Sequence, residues 1–153
     1  MPRFAELGVI ADFQMATESI STEYADYMSE FIGDRAYDLL PTSTLLDAGA
    51  KVELSSDWDA DELSPVGTIE RALTRPTEAL PDIETAIRLV TIDAAHALEQ
   101  DDRTGTIEVG KQADFVLLDQ DLFDIAPDQI SETDVLLTTV GGRTVFEVPD
   151  LGR

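Results

Sequence analysis

The chain has 153 residues, 43% of them apolar, and sets 32 acidic against 10 basic residues for a formal charge of -22. That composition excludes a disordered polymer and, for want of a basic face, a nucleic-acid partner. No run approaches the ~20 apolar residues of a membrane span, and the absence of cysteine excludes disulfides, thiolate metal ligands and a cysteine nucleophile.

Only Lys51 and Lys111 are lysines, and the acids are spread along the chain instead of gathering in a tail. An even acidic shell repels itself at low ionic strength and is tolerated where salt screens it. A halophilic source with a salt-rich cytoplasm is the expectation. The opening Met1-Pro2-Arg3-Phe4-Ala5-Glu6 has no charged-then-apolar signal pattern, so a cytoplasmic location is expected.

In chain order, residues 2–7 read as the end of a helix stopped by Gly8, and residues 8–14 as a short strand. A polar stretch over 15–33 follows, with Tyr24, Tyr27, Met28 and Phe31 at roughly helical spacing. Asp34 is placed to cap a helix running through Leu46 and ended by Gly49. Residues 51–56 read as a second strand ending at Asp57, and Pro65 opens a helix over 66–74. Strand, helix, strand and helix alternate, as in a parallel α/β sheet.

Apolar residues at Ile83, Ala86, Ile87, Val90, Ala94 and Ala97 make a helical stripe with a break near 91–93. Three strands close the chain, over 114–119, 134–140 and 143–148. The last two are joined by Gly141-Gly142, a hairpin signal. This tail reads as a small β unit.

Two segments bear on chemistry. Ser55-Ser56-Asp57-Trp58 puts a carboxylate just past the C-terminal end of a strand, where parallel α/β folds build their sites. A carboxylate there can hold a metal and take a proton from activated water. The residues alone leave a second and commoner reading open, in which Asp57 only caps the following loop. The other segment runs from Gly105 to Asp119. Two glycines five apart flank an apolar pair, and a lysine and an aspartate lead into a strand. It is no phosphate loop, because a strand follows where a helix should; it reads as a structural turn.

Gly105-x-Ile107-x-x-Gly110-Lys111-x-Ala113-Asp114-Phe115-Val116-x-Leu118-Asp119 resembles the signature of the amidohydrolase superfamily. Val140-Gly141-Gly142-Arg143-Thr144-Val145-Phe146 resembles the close of the same domain, and residues 83–98 the helical pair before it. The run from Arg3 to Ala11 is similar to the entry into barrel strand seven of the amidohydrolase-3, or YtcJ-like, branch. The resemblance implies an α/β fold: a partial (β/α)8 amidohydrolase barrel holding its last two strands and helices over residues 1–100. A small β unit of the composite β domain follows over 101–153.

The resemblance makes Asp57 the strand-eight aspartate, a metal ligand and general base, in enzymes that cleave amide-like C–N bonds with metal-activated water. The family's cofactor is zinc or another divalent metal. Its other ligands, a His-x-His pair on strand one, a carboxylate or lysine on strand four and histidines on strands five and six, would precede residue 1. Zinc needs about three protein ligands at a catalytic site, so this chain alone is expected to bind none and to be inactive. His96, the single histidine, is assigned packing or capping. Met15-Ala16-Thr17 and Asp59 depart from the family pattern, which often carries proline and then histidine after strand seven and proline after the strand-eight aspartate.

Two barrel strands leave two open edges, and unpaired edges associate. The expected partners are further copies of the chain, as a homo-oligomer, or a missing N-terminal barrel half, with a small molecule as the family's substrate. Two other readings stand beside the hydrolase: a non-catalytic structural or regulatory oligomer, a kind of relative that can carry the label of an exoenzyme regulatory protein, and a small-molecule binder using the loop over 15–33.

Overall fold

A computed structural model of the chain describes residues 3–16, 19–59, 62–149 and 151. Helix α1 (Arg3–Leu7) ends at Gly8, which turns the chain at φ 65°, a value only glycine adopts without steric cost. Residues 1, 2, 17 and 18 of the expected segments lie outside the described residues. Strand β1 (Ile10–Gln14) follows and pairs in parallel with β2 (Lys51–Ser55), with Asp12 opposite Glu53 and Gln14 opposite Ser55.

Alternation sorts the side chains of this pair. Ala11, Phe13, Val52 and Leu54 are buried beneath the helices that pack on β2. Asp12, Gln14, Lys51, Glu53 and Ser55 take the opposite positions and are exposed or half-buried. The core is completed by Met15, Leu45, Leu89 and Ile130, all at most 2% exposed.

Between the strands, α2 (Thr22–Ile32) starts at Ser21, whose hydroxyl accepts from the Tyr24 amide at 3.1 Å. Its aromatic residues do not enter the core. Tyr27 and Phe31 stack edge to face on the surface with ring centroids 5.2 Å apart.

The single helix expected from Asp34 through Leu46 does not form. A 3-10 turn spans Gly33–Asp38, the chain breaks at residues 39–41, and α3 covers only Thr42–Asp47. Pro41 is the cause: proline has no N–H to give a helix and bars the preceding residue from right-handed helical geometry. Leu40 sits at φ 55°. Asp34 falls inside the 3-10 turn, and α3 is capped from afar by Glu78. That carboxylate accepts from the Ser43 hydroxyl at 2.6 Å, the Thr44 amide at 2.8 Å and the Thr44 hydroxyl at 2.6 Å.

Helix α4 (Pro65–Thr74) opens with proline at its first position, as expected, and is capped by the Ser64 side chain. The stripe over 83–98 is two helices, α5 (Ile83–Val90) and α6 (Ile92–Ala97), parted at Thr91.

Strands β3 (Phe115–Leu118), β4 (Val135–Val140) and β5 (Arg143–Glu147) form an antiparallel sheet in that order. Gly141 and Gly142 make the hairpin turn at φ 56° and 73°, both positive, as a type I′ turn requires. A 3-10 turn over Pro127–Glu132 joins β3 to β4; the sequence reading had no element there. It packs on α4, buries Ile130 and is pinned where the Ser131 amide donates to the Glu70 carboxylate at 2.7 Å.

Candidate active site around Asp57

Asp57 lies two residues past the last residue of β2, beyond its C-terminal end. The adjacent end of β1 is tied to it, the Met15 amide donating to the Ser55 carbonyl at 3.1 Å. Asp57 turns the chain at φ 55°, a left-handed conformation that aspartate tolerates better than most residues. Its side chain is exposed, and so is that of Trp58. The backbone thus delivers a solvated carboxylate to the strand-end position from which α/β enzymes work.

Beneath it the polar face of the β1–β2 pair carries groups that the sequence reading missed. Asp12 accepts from the Ser55 hydroxyl at 2.7 Å and sits directly across from Glu53. Burial pushes the Glu53 carboxyl up from its usual range, and the neighbouring Asp12 charge adds to that. The signal available in the sequence was the period-two placing of Asp12 and Gln14 against Glu53 and Ser55. It becomes readable only once the opposite face is known to be buried.

These residues do not by themselves fit a metal. Among the described residues no group of three or more His, Cys, Asp or Glu side chains could hold one. His96 is far from a ligand role. Its Nδ1 meets the Asp101 carboxylate at 2.9 Å and its Nε2 meets the Lys51 ammonium. A carboxylate can only accept, so Nδ1 carries the proton and Nε2 of the neutral ring accepts from Lys51. The bond from His96 holds the Asp101 carboxyl below its usual range. His96 therefore ties the end of α6 to the start of β2, a more specific job than the packing or capping expected of it.

The glycine-lysine turn is structural. A Cβ on Gly105 would come within 2.8 Å of the Ile92 Cα and the Ala95 Cβ, so the loop lies flush on α6. Lys111 holds the loop, donating to the Thr106 hydroxyl at 2.6 Å and the Thr104 carbonyl at 3.3 Å.

The amidohydrolase family model matches residues 1–146. The N-substituted formamide deformylase of Arthrobacter pascens is 31% identical over 155 residues, covering 95% of this chain and 28% of the deformylase. Among solved structures, guanine deaminase from E. coli superposes with a TM-score of 0.68 at 22% identity, over 97% of this chain and 36% of that one. A zinc-bound adenosine deaminase from Xanthomonas campestris gives a TM-score of 0.62 at 22% identity, over 93% and 38%. The chain belongs to the amidohydrolase family. It spans less than a third of the deformylase's length. No described helix is long and apolar enough to cross a membrane.

Proposed function

We propose that this chain forms the last two strands of an amidohydrolase barrel with its attached β unit. In that reading it contributes Asp57 to a centre that hydrolyses amide-like C–N bonds. The single observation that carries the proposal is the exposed Asp57 carboxylate just beyond the C-terminal end of a parallel strand. The formamide deformylase, which matches nearly the whole chain, supports the bond class.

Asp57 would act as the base that accepts a proton from the attacking water. The zinc of the adenosine deaminase neighbour supports a divalent metal in the assembled enzyme. No group of three or more candidate ligands stands together among the described residues, so in this reading the remaining barrel would supply further ligands. The partner is therefore part of the proposal. The free edges of the β1–β2 pair and the exposed apolar residues of β3 and β5 would be covered by the remaining barrel or by further copies of the chain.

The test is to tag the chain at its chromosomal locus and isolate the native assembly in high salt. Its mass, divalent-metal content and hydrolysis of N-substituted formamides and N-acyl amino acids are then measured. The expected result is a larger assembly with stoichiometric metal. Asp57→Asn should lower kcat by about 10²–10⁴ with the fold intact, the usual range for a general base. A metal-free assembly without hydrolysis would leave the non-catalytic oligomer as the function, which the same exposed strands favour.

A further inference from the structure

His96 is the middle member of three side chains drawn from separate segments. Its Nδ1 donates to the carboxylate of Asp101, beyond the end of α6, at 2.9 Å, and its Nε2 accepts from the ammonium of Lys51, the first residue of β2. The His96 and Asp101 side chains are 38% and 45% exposed, so protons exchange freely with solvent here.

The same three residues line a cavity of about 410 Å³. Its apolar walls include Leu46 of α3, Val52 of β2, Leu89 of α5 and Ile92 of α6. The other charges facing it are Arg88 of α5 and Asp93 of α6, and these two pair with each other at 3.2 Å. From α3 it receives only Leu46. Glu53 lies two positions along β2, on the same side of the strand as Lys51.

Histidine is the side chain whose ordinary charge change falls at about pH 5 to 8. Lysine and arginine ordinarily stay charged across that range. The bond from His96, helped by the Lys111 charge, holds the Asp101 carboxyl below its usual range, so Asp101 stays charged as well. Within the three-residue chain only the imidazole changes.

A proton gained by the ring acts in opposite senses on its two sides. At Nδ1 the bond to Asp101 becomes one between full charges and strengthens. At Nε2 a second N–H now points at the ammonium. Both groups can only donate, and both are cations at contact distance. The ring therefore stays with Asp101, and Lys51 is the partner that leaves. With it goes the side-chain tie between α6 and the start of β2.

We propose that Asp101, His96 and Lys51 form a pH-operated latch, which holds α6 to β2 while the imidazole is neutral and releases Lys51 in mild acid, opening the cavity behind it. The latch lies at the end of β2 opposite Asp57, and it stands or falls apart from the hydrolase reading.

One histidine and two lysines, Lys51 and Lys111, make the test direct. The chain is labelled with 13C at histidine and lysine and followed by nuclear magnetic resonance in high salt from about pH 8 to about pH 5. Lys51→Met assigns the lysine signals. The expected result is that the Lys51 ε-methylene signal moves in step with the imidazole and that its cross-peak to the His96 ring is lost in mild acid. In His96→Gln, which cannot take up the proton, the Lys51 signal should stay flat; this separates His96 from Glu53. Lys51→Met is permanently unlatched and should show at pH 8 the α6 amide signals that the wild type reaches only in acid. A Lys51 signal that stays still while the imidazole titrates, one that moves equally in His96→Gln, or an α6 left unchanged by Lys51→Met would each overturn the proposal.

Discussion

The two sheets of this molecule treat the apolar residues of their strands in opposite ways. In the β1–β2 pair, Phe13, Val52 and Leu54 are at most 8% exposed, under helices. In the second sheet, Val116, Leu117, Val145 and Phe146 are between 47% and 56% exposed. The strands of this tail are paired with each other and covered by little else. Its attachment to the rest runs through the buried Ile130 of the 3-10 turn and Leu122, with Leu118 at the end of β3 partly buried against the same core. Strand formation thus needs only pairing and alternation, whereas stabilisation needs a second layer. Among the described residues the first sheet has that layer, whereas most of the second sheet does not.

The largest test of this contrast is a pair of truncations compared by urea unfolding in high salt. Leu89, 2% exposed in the core, should lose about 3 kcal/mol on change to alanine, within the range for buried leucines. Val145→Thr keeps the β-branch and lies 56% exposed, so it should cost about 0.5 kcal/mol or less. If the two cost the same, the tail is covered in solution. A cost at Val145 that falls on dilution would then point to association between copies.

Much of this architecture was legible because it is local. The Gly141-Gly142 hairpin, the Pro65 helix start and the break at Thr91 are each set by residues within a turn of the feature, and each forms as read. The place of Asp57 beyond the end of β2 was legible for the same reason: a strand and its end are short-range facts. The helix expected over 34–46 from the Asp34 cap and the Gly49 stop is parted by Pro41, which neither signal takes into account. What stayed hidden depends on contacts between distant residues. Arg75 meets acceptors 33 to 36 positions away. The Asp12–Glu53 face is defined only when helices choose the other side of the strands. No pattern within one segment encodes either.

A smaller effect probes the join that replaces the expected Asp34 cap. Glu78 is half-buried, which by itself would raise its carboxyl. The bonds from Ser43 and Thr44, and the Arg75 charge, nonetheless hold it below the usual range. Glu78→Ala removes three hydrogen bonds from the start of α3 and should cost about 1–2 kcal/mol, as lost caps do. Because the folded value is depressed, the contribution is present above the ordinary glutamate range and fades as pH falls through the lower folded value. Thermal unfolding of wild type and variant from pH 7 downward should therefore converge in acid. A gap that persists there would mean that packing, not the charged cap, ties these loops.

The smallest effect comes from the polar face of the first sheet, where two acids face each other in a chain already strongly acidic. Glu53 is raised from its ordinary 4.5 by burial and by Asp12, so the folded state holds that proton more tightly than the unfolded chain does. Stability is then greatest below the ordinary value and falls as pH rises through the higher folded one. Glu53→Gln should accordingly stabilise the protein at pH 7 by about 0.5 kcal/mol, the scale of like charges opposed across strands and discounted for partial exposure. The gain should vanish below about pH 4, where the wild-type carboxyl is itself neutral. Asp12→Asn keeps an acceptor for Ser55 and should give part of the same gain. The double variant should give less than the sum, because one repulsion cannot be removed twice. Additive gains would show that the two carboxylates do not sense each other, and the polar face would then be a plain solvated surface, not a coupled pair beneath Asp57.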